Sequence, residues 1–413
     1  MNLIFVTSAC SRKTYEKIFN MRKKKIIDPS QRFFEQLIRG AYYSPKSTDK
    51  EIRVTSVSLK PVSASTSDTY LYKKETETED GLEYIYPGFL NGKITRYITS
   101  FFSTAVIVFK CLSKIKNKKE TVLICDPLCV QASTAARYVS KLFRIRSIAI
   151  VTDIPNYATD MKGRKENKIL YKLRHLYEGL AMKDIVNYDA YINLTESMNE
   201  IINKENKPSI VIEGSIDFEN KLRPFVLNGT DVKTVVYAGG IYEKYGVKRF
   251  VNAFIKANIS NTQLQIYGDG TYVNELSEIS EKHNNVMYMG CVLNKELPQI
   301  ELQATLLVNP RFSDEEYTKY SFPSKTLEYM SSGTPVLSTR LKGIPKEYDN
   351  YLYWFEDESE DGMAEKLKEI LSKDICELNE FGETAKDFAF KEKSNITQGA
   401  KIIDFAKSIY SVG

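Results

Sequence analysis

The sequence predicts an α/β protein of two domains, each a mostly parallel sheet with helices on both faces. Three observations carry that prediction. The chain has 413 residues, too many for one ordinary hydrophobic core. Short apolar runs recur along it with helical stretches between most of them, the alternation that a parallel sheet requires. Its composition, 42% hydrophobic and 27% charged, is that of a soluble globular protein.

Asn2 to Thr7 reads as a buried first strand. It is not a signal peptide, because no charged start or small-residue cleavage site flanks it. The loop after it runs from Ser8 to Lys13 and turns basic through Lys17, Arg22, Lys23, Lys24 and Lys25. In a doubly wound sheet such a loop faces the ligand cleft, but this one lacks the GxGxxG pattern, so a dinucleotide is not expected in this half. Asp28-Pro29-Ser30 precedes a helix from about Gln31 to Tyr43, with proline in its first turn. Further strands are expected at Ile52–Val57, Leu82–Tyr86, Thr121–Cys125, Ser147–Val151 and Ala190–Leu194. Lys73–Gly81, rich in Glu and Thr, reads as an exposed loop.

Between Lys93 and Lys119 stands an apolar stretch, Ile98, Phe101, Phe102, Ala105, Val106, Val108, Phe109 and Leu112, with basic residues before, within and after it. One reading is a helix lying on an anionic membrane. The other is a core crossover helix with a basic tail, and the scarcity of polar positions favours the core role for the apolar face. Ile148 to Pro155 is a strand ending in an acid, Asp153, at the edge where ligands bind in open α/β sheets. Asp153 is therefore a ligand-site candidate, with a helix cap or turn former as the structural alternative. Tyr188 to Met198 is the last strand and helix start of this half. The sequence predicts domains at 1–212 and 233–393, a linker at 213–232 marked by Pro224, Asn228 and Gly229, and a C-terminal helix at 394–413.

The second half opens with the strand Thr234 to Ala238 and the pair Gly239-Gly240, which lets the backbone approach a phosphate closely. Gly246-Val247 begins a helix. Gln263 to Gly270 is a strand running into a Gly-Asp-Gly turn, and Val286 to Val292 is another strand after a helix. Asn309 to Ser338 is the stretch that organises the rest. An apolar strand, Ala304 to Val308, leads to Asn309-Pro310-Arg311 and an acidic patch at Asp314, Glu315 and Glu316. Pro323 and Ser324 open a helix that Ser324 can cap; Gly333 ends it and Pro335-Val336-Leu337 starts the next strand. A helix N-terminus offers N–H groups and a positive dipole end to phosphate. Lys325 stands in its first turn, and Glu328, one turn on, is placed to accept the hydroxyls of a ribose. The structural alternative is a capped surface helix with an ion pair.

Composition narrows the chemistry. No run of about 18 or more uncharged apolar residues exists, so no spanning helix is expected. Six cysteines without a CxxC pair, and only His175 and His283, argue against a zinc site and for reduced thiols in a cytoplasmic protein. The net charge of +5 hides an asymmetry: residues 1–212 hold 35 Lys and Arg against 22 Asp and Glu, a net +13, and the remainder hold 23 against 31, a net −8. A basic half favours an anionic partner such as a lipid headgroup or lipid diphosphate. Nucleic acid is not expected, since the basic residues are dispersed and no nucleic-acid module appears.

Phe322-Pro323-Ser324-Lys325, Leu327-Glu328-Tyr329-Met330 and Gly333-Thr334-Pro335-Val336 together resemble the donor-site signature of family 4 glycosyltransferases, retaining, nucleotide-sugar-dependent enzymes of the GT-B fold. The resemblance is strongest over residues 233–345. It implies two Rossmann-like domains facing a central cleft, with the C-terminal helix crossing back to the first. It implies a donor site at Gly239, Gly240, Arg311, Ser324, Lys325, Thr326 and Glu328, with Gly290 and Val292 beside the base, and a catalytic pair of Lys325 and Asp153. No metal and no cofactor are expected, because no DxD-like motif is apparent. The partners implied are a nucleotide sugar, UDP-linked in the favoured reading, and a glycan acceptor. That acceptor is expected to be lipid-linked and built at the inner membrane face for a capsule or exopolysaccharide. The chain departs from the family at three places. Gly240 stands where many relatives carry Arg, neither histidine fits the position near Asp153, and Tyr320 stands eight residues before Glu328 where the E-x7-E element has its first acid. These departures keep two alternatives open: a binding protein without turnover, and a GT-B sugar-nucleotide epimerase.

Overall fold

The computed structural model describes residues 1–22, 29–45, 52–155, 168–220, 232–292 and 296–411. The expected basic residues Lys23, Lys24 and Lys25, Asp28, and the linker markers Pro224, Asn228 and Gly229 lie outside them. The chain divides into two compact units, Met1–Ser215 with Ser394–Gly413, and Ile216–Lys393.

Among the described residues the first unit is built on ten strands: β1 (Asn2–Thr7), β2 (Arg53–Ser58), β3 (Leu71–Tyr72), β4 (Glu75–Glu79), β5 (Leu82–Tyr86), β6 (Phe89–Leu90), β7 (Thr121–Cys125), β8 (Arg146–Val151), β9 (Ala190–Asn193) and β10 (Ser209–Val211). Eight of them form one sheet in the order β10-β9-β8-β7-β1-β2-β5-β4. Every pairing in it is parallel except β4 with β5. The central strands are buried along nearly their whole length, which is why they read as continuous apolar runs rather than as alternation. Around the sheet lie α1 (Arg12–Met21), α2 (Pro29–Tyr43), α3 (Thr95–Lys114), α4 (Val130–Leu142), α5 (Lys168–Ile185) and α6 (Asn199–Ile202).

Two expectations fail here. Lys73–Gly81 is not a loop: it contains β4, an antiparallel edge strand. Its acidic residues have a partner the sequence conceals, the N-terminus of α1. Glu77 accepts from the hydroxyls of Ser11 (2.9 Å) and Thr14 (2.7 Å). Glu79 accepts from the N–H groups of Arg12 (3.1 Å) and Lys13 (3.0 Å). Carboxylates at a helix N-terminus complement its dipole, and the hairpin thereby fills the anion site that α1 would otherwise offer. The second failure is α3. Val108 and Leu112 are buried as a core helix requires, but Ile98, Phe102, Val106 and Phe109 are exposed. A helix apolar on all sides cannot tell from its own sequence which face the sheet will cover.

The second unit is one six-stranded parallel sheet of β11 (Lys233–Ala238), β12 (Thr262–Tyr267), β13 (Val286–Gly290), β14 (Leu306–Asn309), β15 (Val336–Thr339) and β16 (Tyr353–Phe355), in the order β13-β12-β11-β14-β15-β16. Its helices are α7 (Val247–Ala257), α8 (Val273–Lys282), α9 (Leu297–Gln303), α10 (Lys325–Ser332), α11 (Glu360–Leu371) and α12 (Ile375–Lys393). Two apolar layers seal the two faces. One gathers Phe250, Phe254, Leu264 and Leu367; the other gathers Val236, Leu307, Tyr329 and Trp354. The strand order reverses between β11 and β14, so the loops after these two strands diverge at a topological switch point, the place where open α/β sheets bind ligands.

The last helix, α13 (Asn395–Ser411), belongs to the first unit and packs along α2. Glycine allows the contact. A Cβ on Gly399 would lie 2.0 Å from the carbonyl carbon of Gly40, so the two helices touch backbone to backbone.

Candidate functional site

At the switch point of the second unit four loops close on one another. The loop after β11 begins with Gly239, whose N–H donates to the Tyr267 carbonyl at 2.9 Å. Gly268, just past β12, has φ +134, and a Cβ there would lie 1.8 Å from the Gly239 carbonyl oxygen. No other residue fits that position. The loop after β14 packs as closely against the start of α7: a Cβ on Gly246 would meet the Pro310 carbonyl oxygen at 1.8 Å. Tyr237 donates its hydroxyl to the Gly240 carbonyl at 2.8 Å and folds the glycine loop back on the strand. Gly290, φ +72 at the end of β13, accepts from the Gly268 N–H at 2.9 Å and so joins the same edge.

The cations come to this edge. A Cβ on Gly239 would lie only 3.1 Å from the Cε of Lys325, so the lysine stem runs directly along the glycine loop. The Lys325 ammonium stands 5.9 Å from the ring centroid of Tyr329. The Arg311 guanidinium stacks 4.7 Å above the Tyr245 ring. Burial pushes the phenols of Tyr237 and Tyr317 up, while Arg311 pulls both in the opposite direction. That marks Arg311 as a neighbour of both. Glu328 follows one turn behind Lys325 and is half-buried.

The expected site residues divide accordingly. Gly239, Gly240, Arg311 and Lys325 come together, with Gly290 at the same edge. Val292 is half-buried against the apolar layer that contains Trp354. Ser324 is exposed at the start of α10, but it does not cap the helix: its backbone is already helical (φ −50, ψ −29) and its side chain makes no capping bond. Thr326, expected as a donor contact, is turned into the fold, and its hydroxyl has no hydrogen-bond partner among the described residues. It is 0% exposed, and its N–H is taken by the Pro323 carbonyl at 2.8 Å. Pro323 forces this tight turn at the helix start, and the turn draws Thr326 inward. The other first-turn N–H groups of α10 lack intrahelical acceptors by geometry. Tyr320, at the family's first-acid position, is buried, whereas Glu315 and Glu316 are exposed.

Asp153 lies in the first unit, two residues beyond β8. Its carboxylate accepts from the Ile154 N–H at 2.8 Å, and burial pushes its pKa up to about 6. A second acid stands beside the same sheet edge, beyond β7. Asp126 is 3% exposed, accepts from the Leu128 N–H at 3.0 Å and from the Ser8 hydroxyl at 3.5 Å, and is pushed up to about 7 by burial. It went unread in the sequence although it carries the signal that singled out Asp153, an acid just after a buried strand. Tyr237 and Tyr329 carried no such signal, because their partners are backbone groups.

A cavity of about 420 Å³ opens elsewhere on the second unit, lined by Glu243, Lys248, Arg249 and Glu360 among others. It includes neither the glycine pair nor Lys325, and within its lining Lys248 pairs with Glu243 at 3.4 Å while Glu360 accepts from the Asn252 amide at 2.8 Å. Among the described residues no three His, Cys, Asp or Glu side chains gather as metal ligands do.

The arrangement as a whole can hold an anion: two cations, a glycine loop admitting close backbone approach, and a helix start with unmated N–H groups. A carboxylate one turn deeper can accept hydroxyls.

Residues 232–373 match the family model described as "Glycosyl transferases group 1". No curated protein matches the chain in sequence. Among solved structures it is similar to the sucrose-phosphate synthase of Thermosynechococcus elongatus, with a TM-score of 0.65 at 13% identity over 100% of both chains. It is similar to the Anabaena HepE protein in complex with UDP, with a TM-score of 0.59 at 12% identity over 99% of this chain and 100% of that one. A third likeness is to the E. coli structure described as "Trehalose-6-phosphate" bound with UDP-2-fluoro glucose, at TM-score 0.64 and 11% identity over 98% and 99% of the two chains. At these identities the likeness is one of fold. The chain has the GT-B fold, and within its second unit residues 232–373 match the model of the group 1 glycosyl transferases.

Proposed function

We propose that the chain transfers a hexosyl residue from a nucleotide diphosphate sugar, UDP-linked by preference, to a lipid-linked glycan acceptor, with retention at the anomeric carbon. The observation that carries this reading is the contact between the Lys325 stem and Gly239, which sets an ammonium on the phosphate-admitting loop at the switch point of the second unit. Lys325, Arg311 and the first turn of α10 would bind the diphosphate and stabilise the charge that develops on it as the glycosidic bond breaks. Electrostatic help of this kind acts without reorganisation at the moment of reaction. Glu328 would accept the ribose hydroxyls, and Gly290 and Val292 would border the base. Asp153 would act on the acceptor side, as a carboxylate above about pH 6. The UDP and UDP-sugar in two of the similar structures support the choice of donor. The reaction is proposed to need no metal, so EDTA should leave the rate unchanged.

Buried Tyr320, in place of an acid, favours a second reading in which the site binds the sugar nucleotide without turnover. Thermal denaturation with UDP-, GDP-, ADP- and dTDP-sugars tests both. A donor at 100 Kd adds about 2.7 kcal/mol of stability, so one of the four should raise Tm by several degrees and Glu328→Ala should cancel the rise. Release of free nucleotide from that donor in the presence of acceptor supports transfer; a Tm rise without release supports the binding protein. No shift with any donor removes both.

A further inference from the structure

The first unit carries an apolar surface that the donor site does not use. On α3 the exposed residues Ile98, Phe102, Val106 and Phe109 recur at intervals of four, four and three, so they form one stripe along one face. The opposite, covered face holds Ser100 and Thr104 beside Ile107 and Val108. The helix thus turns small hydroxyl residues inward and leaves Phe102 63% exposed, an inversion of the usual arrangement for a surface helix. The stripe continues onto α4. The Phe109 ring packs 5.1 Å from the Phe143 ring, next to Leu142, which is 71% exposed.

Along the segments that carry this stripe the charge has one sign, although Glu83 of β5 stands close to Cys111 on α3. From Lys93 to Lys119 there are seven basic residues and no acidic one, and no acidic residue occurs between Pro127 and Thr152. Lys110 and Lys114 flank the exposed stripe, Lys141 and Arg144 flank Leu142, and all four are exposed. No described helix is long and apolar enough to cross a membrane.

We infer that this face of α3 and α4 docks on the anionic surface of a lipid bilayer. The apolar stripe enters the headgroup boundary and the lysines and arginine meet acidic headgroups, as an amphipathic helix does at an interface. A second copy of the chain is disfavoured as occupant: a two-fold interface sets a patch against itself, and here it would set like charges together, which is costly. The inference stands on the first unit alone and does not depend on glycosyl transfer.

The experiment is co-sedimentation of the full chain with phosphatidylcholine vesicles and with vesicles in which about a third of the lipid is phosphatidylglycerol. The chain should sediment with the anionic vesicles and not with the neutral ones, and about 0.5 M salt should release most of it by screening. Lys110→Glu and Lys114→Glu should each weaken binding about fivefold or more. Phe102→Glu combined with Val106→Glu should abolish binding and leave the melting curve unchanged, because both side chains are exposed. Protein that stays in the supernatant, binds both vesicles alike, or binds as well with the glutamates in place overturns the inference. So does light scattering that shows a dimer which Phe102→Glu splits.

Discussion

The hydroxyl of Tyr329 accepts the Ala238 N–H at 2.9 Å and lies 3.1 Å from the Ala238 carbonyl, to which it donates. The pairing of β11 with β14 runs through Val235 with Leu306 and Val236 with Leu307. Beyond that point Ala238 needs another partner on this side, and one phenol from α10 supplies both a donor and an acceptor. The helix that carries Lys325 is thereby fastened to the residue just before Gly239. Burial holds the phenol neutral, far above any working pH.

Tyr329→Phe should therefore loosen the site as well as the fold. It leaves the Ala238 backbone groups buried without partners, at a cost of about 1–3 kcal/mol. Urea denaturation should show that loss. Donor affinity should fall along with it, because α10 and the glycine loop are no longer held in register. An unchanged midpoint would mean that the sheet supplies those bonds by itself.

Lys325→Ala should lower kcat by about a hundredfold or more, the usual cost of removing one contact to a developing charge, with Tm unchanged. Single-turnover measurement at saturating donor separates this from weaker binding. A variant with wild-type kcat and KM would take Lys325 out of the mechanism.

Gly268→Ala tests the packing of the loops. The added methyl would sit 1.8 Å from the Gly239 carbonyl oxygen at a φ of +134 that alanine rarely adopts. Backbone strain of this kind costs about 1–3 kcal/mol before the clash is counted. The variant should lose about 3 kcal/mol or more of stability in chemical denaturation. Stability near wild type would show that the β11 and β12 loops can separate freely.

Asp126 gives stability a pH slope. Its native pKa, about 7, lies above the ordinary 3.8, so the folded chain holds this proton more tightly than the unfolded one. Its contribution is complete below about pH 4 and is lost as pH rises through about 7. Asp126→Asn keeps an acceptor for the Leu128 N–H and removes the titration. Relative to wild type the variant should gain up to about 1.4 kcal/mol per pH unit across that window. Denaturation of both proteins at pH 5 and pH 8 measures the difference; a gap equal at the two pH values would refute the assignment.

Much of the architecture was legible because the fold announces itself locally. The expected strands at Leu82–Tyr86 and Thr121–Cys125 form with those bounds, and Gly333 ends α10 with φ +86. The loops after β11, β12 and β14 were legible as glycine- and proline-marked turns. What misled was chemistry completed from afar. The acids of β4 looked like loop residues because their partner, α1, is more than sixty residues away. Ser324 looked like a cap because sequence spacing does not reveal that its own backbone is already helical.

By itself the sequence determined the two α/β halves and the glycine loop, lysine and carboxylate of the second. Periodicity, turn residues and capping patterns act over a few positions and need no distant partner. Only the tertiary structure decided that Lys325 lies along Gly239, that Thr326 is sealed inside, and that Phe102 faces outward. Each of these depends on which surfaces meet, and surfaces meet through contacts between residues far apart in the chain, where one helix face or hydroxyl is chosen over another by packing alone.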